Sequence, residues 1–98
     1  MTIDKKLTGD TLDVKLSGRL DTSTAPELEA TLKSALEGVR KLNLDFSGLE
    51  YLSSSGLRVL LSAHKVMDRL DGMTLTNVND SIMEVFEITG FVDVLHIQ

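Results

Sequence analysis

The run Ser53-Ser54-Ser55-Gly56 leads directly into an apolar stretch beginning at Leu57, and its three hydroxyls are the groups in this chain best placed for chemistry. A helix starting there leaves its first N–H groups without intrahelical partners and carries a partial positive charge, a setting that receives anions. Two uses of the serines follow. One serine can accept a hydrogen bond from a first-turn amide and cap the helix, a routine role for this residue type. Alternatively, a serine accepts a phosphoryl group, whose charge of about −2 and three acceptor oxygens suit the same helix start. A cap needs one hydroxyl, and the run supplies three. A second polar segment, Leu16-Ser-Gly-Arg-Leu-Asp-Thr-Ser-Thr24, carries Asp21 ahead of another helix start. It reads either as a hydrogen-bonded cap and turn or as a loop at the same end of the sheet as the serines, where open α/β sheets place their working loops.

Other chemistry is sparsely represented. The chain holds no G-x-x-x-x-G-K-[ST] loop, no G-x-G-x-x-G turn and no G-x-S-x-G elbow. His64 falls inside the apolar stretch and His96 near the last residue, neither with a second ligand-type partner at metal spacing, so both read as structural side chains. A hydrolase built on Ser55 and His64 is disfavoured by geometry. Nine residues along one helix separate them by about 13.5 Å, beyond nucleophile–base reach.

The elements that must hold these residues follow from period and punctuation. Ile3–Leu7, a turn at Gly9-Asp10 and Leu12–Ser17 read as a hairpin. Thr24-Ala-Pro-Glu27 has the form of a capping box with proline in the first turn, followed by Ala25, Leu28, Leu32, Ala35, Leu36 and Val39 at helical spacing. Gly38 marks that helix's end. Lys41–Phe46 alternates as a strand, Ser47–Leu52 reads as a loop, and Leu57–Leu70 reads as a helix apolar around most of its circumference and therefore largely buried. After a turn at Asp71-Gly72 come a strand at Met73–Thr76, a capping box Ser81-Ile-Met-Glu84 opening a third helix, and a glycine stop at Gly90. The tail Val92–Ile97 reads as a last edge strand. The order β-β-α-β-α-β-α-β predicts an α/β fold: a small mixed sheet of about four to five strands with right-handed parallel crossovers and helices mainly on one face.

Composition bounds the rest. The 98 residues suit a single domain over residues 1–98. Ten basic against 15 acidic residues leave a net charge of −5, which argues against direct nucleic-acid or anionic-membrane binding. With no cysteine, disulfides and thiolate sites are excluded. No run approaches the roughly 18 apolar residues of a membrane span, and the first residues lack the apolar core of a secretory signal. A cytoplasmic location is therefore expected.

On these motifs the sequence resembles the anti-sigma factor antagonists, whose domain is called STAS after sulfate transporters and anti-sigma factor antagonists. Gly18-Arg-Leu-Asp21 resembles the family's G-x-L-D, Leu44 to Leu57 its strand and D-[ST]-[ST]-G-L phosphorylation motif, and Phe86-Glu-Ile-Thr-Gly-Phe91 its F-x-x-x-G-[LF] segment. The resemblance implies a domain of STAS fold that binds an anti-sigma factor, a serine protein kinase, and so releases a sigma factor. Phosphorylation at Ser54, with Ser55 the alternative, would switch it off. The expected partner-binding set is Asp21, Thr22, Ser53, Ser54, Ser55, Gly56 and Arg58, the last for a charge that could offset a phosphate or contact an acidic partner. In two places the sequence departs from the pattern: the motif's aspartate is Ser53, and Arg58 stands where many members carry glycine. No cofactor, metal or enzymatic activity is expected, and the domain is expected to be a monomer. The alternative is a non-phosphorylated STAS scaffold subunit of another complex, such as a lipid-transport ATPase.

Overall fold

The computed structural model describes residues Met1–Gln98. Strands β1 (Thr2–Thr8) and β2 (Thr11–Leu20) form an antiparallel hairpin. Helix α1 (Ala25–Ala35) crosses to β3 (Lys41–Leu52), α2 (Ser54–Met67) crosses to β4 (Met73–Thr76), and α3 (Asp80–Thr89) leads to the two-residue β5 (His96–Ile97). Strand order is β1-β2-β3-β4-β5, with every pairing after the hairpin parallel. The mixed α/β fold anticipated from the element order is the one observed.

Alternation decides which face of the sheet is covered. Leu12, Val14 and Leu16 of β2, Leu42, Leu44 and Phe46 of β3, and Leu75 of β4 are buried and join Leu28, Leu60, Ile82 and Phe86 of the helices in one apolar cluster. Each such side chain contributes about 1.5–3 kcal/mol on burial. The residues between them, among them Asp13, Lys15, Asn43 and Asp45, face the other way into a shallow polar depression. There Asn43 Nδ2 donates to Asp13 at 2.9 Å and Asn77 Nδ2 to Asp45 at 3.0 Å. This face is stabilised by polar pairing and carries no helix.

Several elements differ from the sequence reading. The segment Ser47–Leu52 is strand, not loop, because β3 runs to Leu52 through two bulges in its pairing with β2. Each bulge adds one residue to β3, so the inward positions fall at Phe46, Leu49 and Leu52, three apart instead of two. That spacing hides the strand from a period-2 search. β2 likewise continues past Ser17 to Leu20, with Gly18 at φ +95°, a conformation that favours glycine.

The caps also differ. Thr24 occupies the N-cap of α1 but makes no side-chain cap bond, so the capping box with Glu27 does not form. At α3 the cap is Asn79, not Ser81: its extended backbone lets Oδ1 accept from Ile82 N at 2.9 Å, while Nδ2 donates to the Leu49 carbonyl at 3.0 Å. Ser81 lies inside the helix. Helix α1 stops at Ala35, and Val39 is buried from the following turn. α2 begins at Ser54 and is buried on one side only, through Leu57, Val59, Leu60, Ala63 and Met67. Val66 and Leu70 are exposed, because no layer covers its outer side. The tail is mostly a short 3-10 turn, Phe91–Asp93, before β5 pairs with β4. Gly90 does terminate α3 in the left-handed conformation, at φ +80°.

Candidate functional site

The end of β2 and the end of β3 are neighbours in the sheet, with Leu20 paired to Leu52. The chain leaves β2 into the turn Asp21–Thr24 and leaves β3 into the serine run, so parallel pairing brings the two polar segments to one edge. Three contacts fasten them. Ser53 N donates to the Leu20 carbonyl at 2.9 Å, the Thr22 and Ser55 hydroxyl oxygens lie 3.3 Å apart, and Gly56 seats the first turn of α2 on Leu20 and Leu52. A Cβ at Gly56 would lie 2.7 Å from Leu20 Cγ and from Leu52 Cδ1, so only glycine permits this approach.

The three serines have different surroundings. Ser53, extended at φ −98° and ψ 173°, is the N-cap of α2, and its hydroxyl accepts from Gly56 N at 3.3 Å. The neutral residue at the motif's aspartate position therefore performs the cap. Ser55 is half-buried and faces Thr22. Ser54, the first residue of the helix, is exposed and its hydroxyl makes no hydrogen bond within the chain. Arg58, one turn further along, is exposed on the same helix. No acidic residue occupies the first turn of α2.

Asp21 organises the facing turn. Its Oδ1 accepts from Ser23 Oγ at 2.7 Å, Ser23 N at 3.0 Å and Thr24 N at 3.1 Å. Thr24 Oγ1 donates to the Arg19 carbonyl at 2.7 Å and accepts from Asp21 N at 2.9 Å. Led by the Ser23 hydroxyl, these donors hold the Asp21 carboxyl below its ordinary pKa, against a smaller opposing desolvation. The cap-and-turn reading and the working-loop reading of this segment thus describe the same residues. Asp21 fixes the turn, and the turn stands beside the serines.

The sequence reading missed two neighbours. Arg19 and Tyr51 are paired across β2 and β3, with the guanidinium carbon 4.2 Å from the centre of the tyrosine ring. Arg19 Nε also lies 3.6 Å from Asp21 Oδ2. The signal for this pair was the three-residue apolar spacing in β3, which marks the bulge that aligns them. His64 is half-buried with Nδ1 unpartnered, and His96 is exposed on β5, so neither approaches the serine turn in sequence or element. No helix is long and apolar enough to cross a membrane.

A mixed sheet in sequential order, helices on one face and a serine turn at the start of the central helix define an α/β domain also found in solved anti-sigma factor antagonists. An antagonist from Mycobacterium paratuberculosis matches with a TM-score of 0.88 at 23% identity, over 98% of this chain and 83% of its own. Unphosphorylated SpoIIAA matches with a TM-score of 0.76 at 20% identity, over 99% and 87%. A family model described as "Mlab, STAS domain" matches residues 3–96, and the chain belongs to the STAS domain family. Among relatives in sequence, the Bordetella bronchiseptica protein named as anti-sigma factor antagonist BtrV is 37% identical over 95 residues, 91% of this chain and 82% of that protein. The anti-sigma-B factor antagonist of Staphylococcus aureus is 33% identical over 87 residues, 87% of this chain and 81% of that protein.

Proposed function

We propose that this chain is an anti-sigma factor antagonist acting in the cytoplasm: a non-catalytic domain whose edge formed by Asp21, Thr22, Ser53–Gly56 and Arg58 binds an anti-sigma factor with serine kinase activity. Binding releases the sigma factor, and phosphorylation of Ser54 ends it. The observation that carries this reading is the exposed, uncommitted hydroxyl of Ser54 at the start of α2, beside two serines whose hydroxyls are already engaged. The names of the relatives and the solved SpoIIAA in phosphorylated form support the same assignment.

The switch needs little energy. In the transfer, Ser54 Oγ bonds to the γ-phosphorus of the kinase's ATP, the bond to the β-phosphate bridging oxygen breaks, ADP departs, and the hydroxyl proton passes to a base on the kinase. The product adds a charge of about −2 at an interface. Burying such a group against a partner costs several kcal/mol when it is unpaired, and a tenfold loss of affinity needs only about 1.4 kcal/mol. No refolding is required.

The test is a pulldown with the unmodified chain, followed by incubation with the recovered kinase and ATP and mapping by mass spectrometry. An anti-sigma factor in the pulldown and phosphate on Ser54 are expected. Phosphate confined to Ser55 or elsewhere refutes the Ser54 assignment. Recovery of a membrane ATPase complex in place of an anti-sigma factor refutes the antagonist role and selects the scaffold alternative.

A further inference from the structure

We infer that Arg19 and Tyr51 form a preorganised anchor extending the partner surface beyond the serine turn, and that it takes a carboxylate-bearing segment of the anti-sigma factor. This inference rests on the function proposed above and adds to it the chemistry of the partner's contact. The two side chains are set by the bulge in β3. Gly18 pairs with Leu49, and the next rung pairs Arg19 with Tyr51, passing over Glu50. In unbroken register Arg19 would face Glu50 and neutralise it. With the extra residue, Leu52 stays buried beneath Leu20, and the guanidinium stacks on the only tyrosine in the chain. Bulges beside functional sites commonly re-aim a side chain in this way.

The pair is ordered yet open. The Arg19 side chain is 58% exposed, held from one side by the ring and from another by Asp21, while Tyr51 is 42% exposed. Phe46 and Phe86 are fully buried and Phe91 is half-buried, which leaves Tyr51 as the exposed aromatic group. Exposed tyrosine and arginine fixed before binding are the residue types that dominate interface energetics, because little side-chain freedom remains to be lost. The ion pair engages one guanidinium edge, so the other N–H donors remain available for a planar carboxylate. On a chain of net charge −5, Arg19 is a cation at the edge of the proposed site that Asp21 engages from one side only. It matches an acidic residue on the partner, with apolar atoms of the same segment resting on the tyrosine.

Titration calorimetry with the purified anti-sigma factor recovered in the pulldown tests the assignment, using Tyr51→Ala, Tyr51→Phe and Arg19→Lys. Hot-spot truncation corresponds to an affinity loss of about 30-fold, which is expected for Tyr51→Ala with little change in Tm. Tyr51→Phe is expected to stay within about threefold, since the ring and its stacking survive. Arg19→Lys is expected to lose about tenfold, because an ammonium cannot present a planar fork. Arg19→Lys also answers the question should Tyr51→Ala fail to fold. Affinities within twofold of the parent for both Tyr51→Ala and Arg19→Lys overturn the anchor while leaving the antagonist function standing. Failure of the parent chain to bind any anti-sigma factor overturns both.

Discussion

Replacing Gly56 with alanine puts a methyl group where the first turn of α2 rests on the ends of β2 and β3. The added carbon would lie 2.7 Å from Leu20 Cγ and 2.7 Å from Leu52 Cδ1, with Leu20 Cδ2 at 3.1 Å. Carbon–carbon contacts are most favourable at about 3.5–4.0 Å, so either the helix start lifts by about 1 Å or two leucines move. Leu20 and Leu52 are 0% and 5% exposed, so any movement of theirs displaces core neighbours. Overpacking of this kind costs about 1–3 kcal/mol, offset by the about 0.5–1 kcal/mol that alanine gains over glycine in a helix. The net is about 1 kcal/mol of destabilisation, a fall in Tm of about 4–8 °C for a domain of this length. Thermal unfolding followed by circular dichroism reads this directly. Because the lift also separates Ser55 from Thr22, affinity for the anti-sigma factor should drop together with Tm. A Gly56→Ala protein as stable as the parent, or more so, would show that propensity outweighs the clash and that this close approach does not set the site.

Three further outcomes are expected. Ser54→Ala should leave stability within about 0.5 kcal/mol of the parent, since the hydroxyl is exposed and unbonded, yet abolish phosphate incorporation in a kinase assay; undiminished labelling would reassign the acceptor. Asn79→Ala removes the α3 cap and a donor to the Leu49 carbonyl, and urea titration should show a loss of about 1–2 kcal/mol; no loss would mean water replaces both bonds. The third concerns acid. Asp21, bonded first by the Ser23 hydroxyl, and Asp45, bonded first by Asn77, both sit below the ordinary value of 3.8 in the folded chain. The unfolded chain therefore binds more protons near that pH, so their contribution is complete above it and is lost as pH falls through the lowered folded values. Urea midpoints measured from pH 6 down to pH 2 should decline most steeply below about pH 4, and the decline should be shallower in Asp21→Asn. An equal slope in that variant would remove Asp21 from the account.

The parts of the fold legible in the sequence were those whose periodicity is undisturbed. Leu12, Val14, Leu16 and Leu42, Leu44, Phe46 alternate cleanly, and both triplets line the core. What stayed hidden was the far half of β3, where each bulge shifts the inward residue by one and Ser47-Gly48 imitates a turn. Gly48 belongs to a close approach instead: a Cβ there would sit 2.5 Å from Ser17 Oγ. Caps were ambiguous for a related reason. A capping box specifies residue types, but the hydroxyl of Thr24 is drawn to the Arg19 carbonyl by a turn that only Asp21 completes. The candidate site was legible as two polar segments, since each follows a strand expected to be parallel to the other. The Arg19–Tyr51 stack was not, because it depends on the register of a bulge.

Ser53 connects local helix chemistry to the proposed switch. An N-cap requires an acceptor oxygen on an extended residue, and serine supplies one as aspartate does, but without charge. With no acid in the first turn of α2, the positive end of its dipole is left uncompensated by the helix itself. A phosphoryl group on Ser54 would therefore enter a helix start that favours an anion, with Arg58 one turn away, and would meet no carboxylate on the adjoining residue. Two unit charges 4 Å apart interact by about 1 kcal/mol in water and about 4 kcal/mol at the effective dielectric of a protein surface. An aspartate at position 53 would set a repulsion of that order against the phosphate within the free domain. Serine in that position would make a phosphorylated free state comparatively favourable, so in the proposed switch expulsion would come from the partner's side of the interface and from desolvation of the dianion. The departure from the family motif thus leaves a phosphate switch at Ser54 physically workable.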